Sequence, residues 1–143
     1  MDKLLYTPAF RLHRVQRLLR VHLLAMLSDF EVTPEQYFML MRLGEEDGIP
    51  QGALGDPDLD DRASVSRQAS SLEARGLVVR RPDPDDARVA RVHLTDGGRA
   101  VLAALADRVR AERVRLFGGV TPEDLAALHR VIDHLESRLL AAR

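Results

Sequence analysis

The stretch from Arg62 to Thr95, RASVSRQASSLEARGLVVRRPDPDDARVARVHLT, constrains the fold of this chain more than any other. Val65, Ala69 and Leu72 recur at spacings of four and three, which is one face of a helix. Ser64, Arg67, Gln68, Ser71 and Arg75 point away from that face, and Gly76 supplies a helix stop. Leu77-Val78-Val79 then opens a strand, Pro82-Asp83-Pro84-Asp85 marks a turn, and Val89 to Leu94 alternates as a returning strand. A polar helix followed by a short arginine-loaded hairpin is the layout of a winged helix-turn-helix. Its exposed hydroxyl, amide and guanidinium groups suit it to read base edges and to hold phosphates.

The local charge supports this. The net charge is only −1, but from Arg62 to Arg91 there are seven arginines against four acids. From Glu45 to Asp61 there are seven acids and no base. Local sign, not the total, decides where a polyanion docks. Other classes are excluded or disfavoured by composition. The absence of cysteine removes disulfides, thiolate catalysis, cysteine-zinc sites and thiol redox sensing. Only 4% of residues are aromatic and none is tryptophan, which argues against a base-stacking single-strand binder. No stretch is apolar enough to span a membrane, and MDKLLYTPAF lacks the core of a signal peptide. A cytoplasmic protein is expected. No Ser/His/acid constellation or phosphate-binding glycine loop is present, so neither an enzyme nor a cofactor is expected. His13, His22, His93, His129 and His134 form no ligand pair, and the acidic run lacks the spacing of a calcium loop, so no metal is expected either.

At 143 residues the chain reads as a single domain, residues 1–143, of the mainly helical α+β class. Thr7 and Pro8 start a first helix that runs to about Ser28; Thr33 and Pro34 start a second that runs to about Leu43. Residues 44–50 read as an acidic turn. IPQGALGDPDLDDRA follows, where Gly52, Gly55 and Pro57 predict a short, broken or mobile helix with Leu54 and Leu59 toward the core. Beyond the hairpin, Thr95 or Asp96 caps a long helix through about Leu116, and Thr121-Pro122 opens the last, with apolar positions at Leu125, Leu128, Val131, Ile132, Leu135 and Leu139. A winged head at about 33–97 is too small to cover the apolar stripes of helices at about 7–28 and 98–142. Association of two chains through those N- and C-terminal helices would bury them in a symmetric dimerisation region.

Four motifs in register resemble the MarR family (multiple antibiotic resistance regulators). Leu72-Glu73-x-x-Gly76-Leu77-Val78 is similar to the end of the family's recognition helix. Asp86-Ala87-Arg88 resembles its wing "D-x-R", Leu94-Thr95-x-x-Gly98 the motif that closes the wing, and Thr33-Pro34-Glu35-Gln36 the "LT-x-x-Q" before the second helix, with Val32 for the leucine. The broken segment and Ala87, at a position often basic in the family, depart from the pattern. The resemblance implies a homodimeric winged-helix transcription regulator on a pseudo-palindromic double-stranded operator, often a repressor relieved by a small phenolic or anionic effector.

Candidate DNA contacts are Ser64, Ser66, Arg67, Gln68 and Ser71. Arg67 can fork onto guanine and Gln68 onto adenine, while the serines hold phosphates. The resemblance places Arg88 in a minor groove, with Asp86 orienting it. Arg80, Arg81 and Arg91 read equally as phosphate contacts or as solubilising charges. It also implies an effector site between the dimerisation helices and the head, for which His13, Arg17, Tyr37 and Met41 are candidate linings. The acidic run favours an alternative, a ligand- or protein-binding dimer with weak or lost DNA binding.

Overall fold

The computed structural model describes residues 7–143; the first six residues of the stretch read for a signal peptide lie outside it. Five α-helices and three short strands follow one another. Helix α1 spans Pro8–Leu27 and α2 spans Pro34–Glu45. Both open with the expected Thr-Pro pair: the Thr7 hydroxyl accepts from the Phe10 amide, and Thr33 and Gln36 cap each other reciprocally. A 3-10 turn over Ser28–Phe30 joins them.

Strand β1 is Ile49–Pro50, helix α3 is Arg62–Ala74, and the hairpin is β2 (Val78–Pro82) with β3 (Ala90–Leu94). The sheet is antiparallel in the order β1-β3-β2, with Val78 opposite Leu94, Arg80 opposite Val92, and Ile49 on the other edge of Val92. Pro50, which has no N–H, sits at the edge where none is needed. Helices α4 (Asp96–Phe117) and α5 (Pro122–Ala141) complete the chain.

The segment expected to hold a short or broken helix forms no α-helix. It contributes β1, a single 3-10 turn over Gln51–Ala53, and irregular turns down to Asp61. Two glycines and a proline within six residues leave too few consecutive helix formers to nucleate one. Leu54 is buried as expected, but Leu59 is half exposed at 52%, because the turn carries it away from the core.

The core sits mostly in the head, joined by Leu27 at the end of α1 and by the first half of α4. Leu27, Leu40, Leu43, Ala69, Leu72, Val78 and Val92 are sealed from solvent, and Leu105 of α4 reaches in from the side. The outer helices are different. Leu27 is the one buried residue of α1, and α5 has none. Val15, Leu18, Val21, Val131 and Leu139 are all more than 45% exposed.

The end of α3 and the start of α4 are locked together by the Leu-x-x-x-Gly-Leu and Leu-Thr-x-x-Gly motifs. The Leu77 amide reaches back to the Leu72 carbonyl and the Gly76 amide to that of Glu73, while Gly76 takes a left-handed φ of 71°. The Thr95 hydroxyl donates to the Gly76 carbonyl at 2.6 Å and accepts from the Gly98 amide at 3.0 Å. A β-carbon on Gly98 would lie 2.0 Å from the Leu77 carbonyl oxygen, so that position admits no side chain.

Candidate nucleic-acid interface

Helix α3 is anchored by Val65, Ala69 and Leu72, all buried, which leaves its other faces toward solvent. Ser64, Arg67, Gln68 and Ser71 follow at i, i+3, i+4 and i+7 and form one polar stripe beside the buried face, with Arg67 and Ser71 exposed and Ser64 and Gln68 half-buried. Ser66 does not join it: at about 100° per residue it stands roughly 200° round the helix from Ser64. Arg67 has no hydrogen-bond or ion-pair partner among the described residues, so its planar fork is unengaged. Arg75, at the end of the stripe, donates to the Phe30 carbonyl at 2.9 Å and also to that of Glu31, which pins α3 to the loop before α2.

The wing is held by Asp83, whose carboxylate is almost wholly enclosed. It accepts from the Asp85 amide at 2.8 Å and the Asp86 amide at 3.1 Å, and it pairs with Arg91. The Arg91 guanidinium, and then the Asp85 amide, hold the Asp83 carboxyl below the usual aspartate range. At the tip, Arg88 donates in parallel to both oxygens of Asp86, at 2.9 Å each, while its side chain stays 90% exposed. That bidentate pair lowers the Asp86 pKa and raises that of Arg88. The guanidinium is thus aimed outward from a braced turn.

The ambiguous arginines separate. Arg91 bonds Asp83 and the Gly48 carbonyl. Arg80 is clamped by Glu73 at 3.0 Å and by Gln51 at 3.3 Å, tying the wing to α3. Its backbone amide and then its side chain hold the Glu73 pKa down. Both are therefore committed within the protein, while Arg81 is exposed and unpaired among the described residues.

Residues 32–90 match the MarR family. The transcriptional regulator HosA of Escherichia coli O111:H- is 31% identical over 93 residues, 64% of this chain and 69% of HosA. The chain belongs to the MarR family. The HTH-type transcriptional regulator YybA of Bacillus subtilis (strain 168) is 29% identical over 113 residues, 76% of this chain and 75% of YybA. The PcaV transcriptional regulator from Streptomyces coelicolor, solved in complex with its natural ligand, is 27% identical with a TM-score of 0.76 across 96% of both chains. These relatives are transcriptional regulators rather than enzymes, and the MarR winged-helix fold expected from the motifs is the fold observed.

This MarR-family chain does not gather the four effector-site candidates into one cavity. Tyr37 and Met41 line a groove of about 350 Å³ between α2 and α4, with Leu102, Val109, Arg110 and Arg113. His13 and Arg17 line a separate groove of about 550 Å³ on α1, with Phe10 and Arg14. Among the described residues, no helix is long and apolar enough to cross a membrane, and no cluster of three acid, histidine or cysteine groups is placed to hold a metal.

The sequence reading gave no role to the side chains of Asp83, Glu73 and Gln36, although each carries a polar network. Asp83 follows a proline in a turn, a position where aspartate commonly bonds amides ahead of it, so a local signal for it exists. Gln36 has a local signal for its bond to Thr33, the Thr-x-x-Gln capping box, but its bond to Ser71 and the clamp of Glu73 on Arg80 have none.

Proposed function

We propose that this MarR-family regulator is a cytoplasmic homodimer that represses transcription from a pseudo-palindromic operator and lets go when a small phenolic or anionic effector binds. The polar stripe of α3 with the unpartnered fork of Arg67, next to a wing whose outermost arginine is braced but exposed, carries this reading. In it, α3 enters a major groove. Arg67 forks onto guanine, Gln68 onto adenine, and Ser64 and Ser71 hold phosphates. Arg88 enters the adjoining minor groove, with Asp86 as its brace. Ser66, off the stripe, has no contact in this scheme.

Dimerisation is supported by the apolar faces of α1 and α5, which the protomer leaves in solvent. Two heads, one per chain, would then meet half-sites about one helical turn apart. An anionic effector is supported by charge: the α1 groove has His13, Arg14 and Arg17 and no acid, and the α2–α4 groove has two arginines against Glu45. A ligand wedged beside α2 would act on the head directly, since α2 packs against α3. PcaV supplies a relative with a natural ligand.

The exposed Asp56, Asp58 and Asp60, just before α3, favour the second reading, a ligand- or protein-binding dimer with weakened DNA affinity. Competition between a duplex enriched by this protein from a random pool and an unselected duplex separates the two. Sequence preference that falls when Arg67 or Gln68 is replaced by alanine, by about 1–3 kcal/mol per half-site, supports the regulator. No enrichment at low salt supports the alternative.

A further inference from the structure

Gln36, in the first turn of α2, is only 4% exposed. Its side-chain oxygen accepts from the Thr33 amide at 3.1 Å, and its side-chain nitrogen donates to the Ser71 hydroxyl oxygen at 3.1 Å. This orientation is dictated by chemistry. The Thr33 N–H can only donate, so the carbonyl end of the Gln36 amide must face Thr33 and the NH₂ end must face Ser71.

Ser71 is thereby made an acceptor on its inner side. In a helix, a serine proton commonly turns back to the carbonyl four residues earlier. Here it does not: among the described residues, no group accepts from the Ser71 hydroxyl. Ser71 itself is exposed, one turn beyond Arg67 on the polar stripe. A phosphate oxygen can only accept, so a serine serves it only when the proton faces out.

We propose that Gln36 is a positioning residue for DNA binding: acting through Ser71, it presents the serine hydroxyl as an outward-facing donor to a backbone phosphate oxygen. This rests on the reading of α3 as the DNA-reading helix. The bond so formed is charge-assisted, stronger than one between neutral groups. Its partner is sequence-independent, so Gln36 sets affinity and register rather than base preference.

The test is a double-mutant cycle on the full chain, using Gln36→Glu, Ser71→Ala and the pair, against a duplex enriched from a random pool by the unaltered protein. In Gln36→Glu one carboxylate oxygen still accepts from Thr33 and keeps the cap, but the other can only accept from Ser71 and draws its proton inward. Each single change is expected to weaken binding about tenfold per half-site, the value of one hydrogen bond to a charged group. The double variant is expected to match Ser71→Ala within about twofold, because the two changes remove one interaction. If Gln36→Glu unfolds the head, seen as a lost thermal transition, Gln36→Met replaces it. Its smaller loss must likewise vanish when combined with Ser71→Ala.

A Gln36 effect that persists in full without the Ser71 hydroxyl overturns the proposal, since the residue then acts through charge or packing. Ser71→Ala with unchanged affinity, while Arg67→Ala still lowers specificity, overturns the positioning role and leaves α3 as the reading helix. If neither Ser71→Ala nor Arg67→Ala changes binding, the reading of α3 falls as well.

Discussion

Replacing Arg88 by alanine should change how DNA binding depends on salt, by an amount that follows from the wing geometry. The Arg88 side chain is 90% exposed and, among the described residues, bonds only Asp86, so its loss leaves the core and the Asp83 brace intact. Each phosphate neutralised releases condensed counterions and contributes about 0.9 to the slope of log K against log salt. A dimer has two wings, so the slope should become shallower by about 1.8. Between about 50 and about 200 mM salt, roughly 0.6 log units, the penalty for the substitution should therefore shrink about twelvefold. Fluorescence anisotropy titrations of one labelled duplex across that range measure it.

Asp86→Asn tests the other half of the pair. The guanidinium charge stays, while its bidentate anchor and one negative charge per wing go, so the slope should not become shallower as it does in Arg88→Ala. The A·T preference under the wing should weaken. A slope unaffected by Arg88→Ala would refute the reasoning, because a wing arginine that neutralises no phosphate is not on the DNA.

Three further outcomes follow from the packing and the charges. Gly98→Ala puts a methyl group against the Leu77 carbonyl oxygen and should destabilise the fold by about 3 kcal/mol, the upper end for overpacking; an unchanged thermal midpoint would contradict the close approach of α4 to the wing. Leu128→Glu with Leu135→Glu should convert a dimer to monomers, because a carboxylate buried without a partner costs several kcal/mol; both positions are already solvent-exposed in the single chain, so light scattering that shows no change in mass would remove α5 from the interface. Asp58→Asn with Asp60→Asn should raise affinity for all duplexes if the turn before α3 faces phosphate; equal affinities would place those acids away from the DNA.

Much of the architecture was readable because its signals are local. Thr7-Pro8, Thr33-Pro34 and Thr121-Pro122 mark helix starts within four residues, and the hydroxyl caps are all formed. Val65, Ala69 and Leu72 announce the buried face of α3, and Gly76 its end, because helix period and left-handed backbone are properties of neighbouring residues. The hairpin followed from the apolar run Leu77-Val78-Val79 and the alternation from Val89 to Leu94 on either side of a Pro-Asp turn. The segment from Ile49 to Asp61 was not readable in the same way. Its glycines and proline announced only that a helix would fail, and β1 exists because Val92 and Arg91 of β3 offer a free edge more than forty residues along the chain.

The composition and periodicity of this chain determined its helices, its hairpin and the polar face of α3, since each depends on residues a turn or two apart. Tertiary structure alone decided which charges remain free for DNA. Arg80 and Arg91 look like Arg81 and Arg88 in the sequence, yet Glu73, Asp83 and the Gly48 carbonyl, 43 residues from Arg91, take them into the framework. The same holds for Gln36 and Ser71, 35 residues apart, and for the four effector candidates, which fall into two grooves. A side chain's hydrogen-bond capacity is a property of its type, but whether that capacity is already spent depends on partners that only folding brings within about 3 Å.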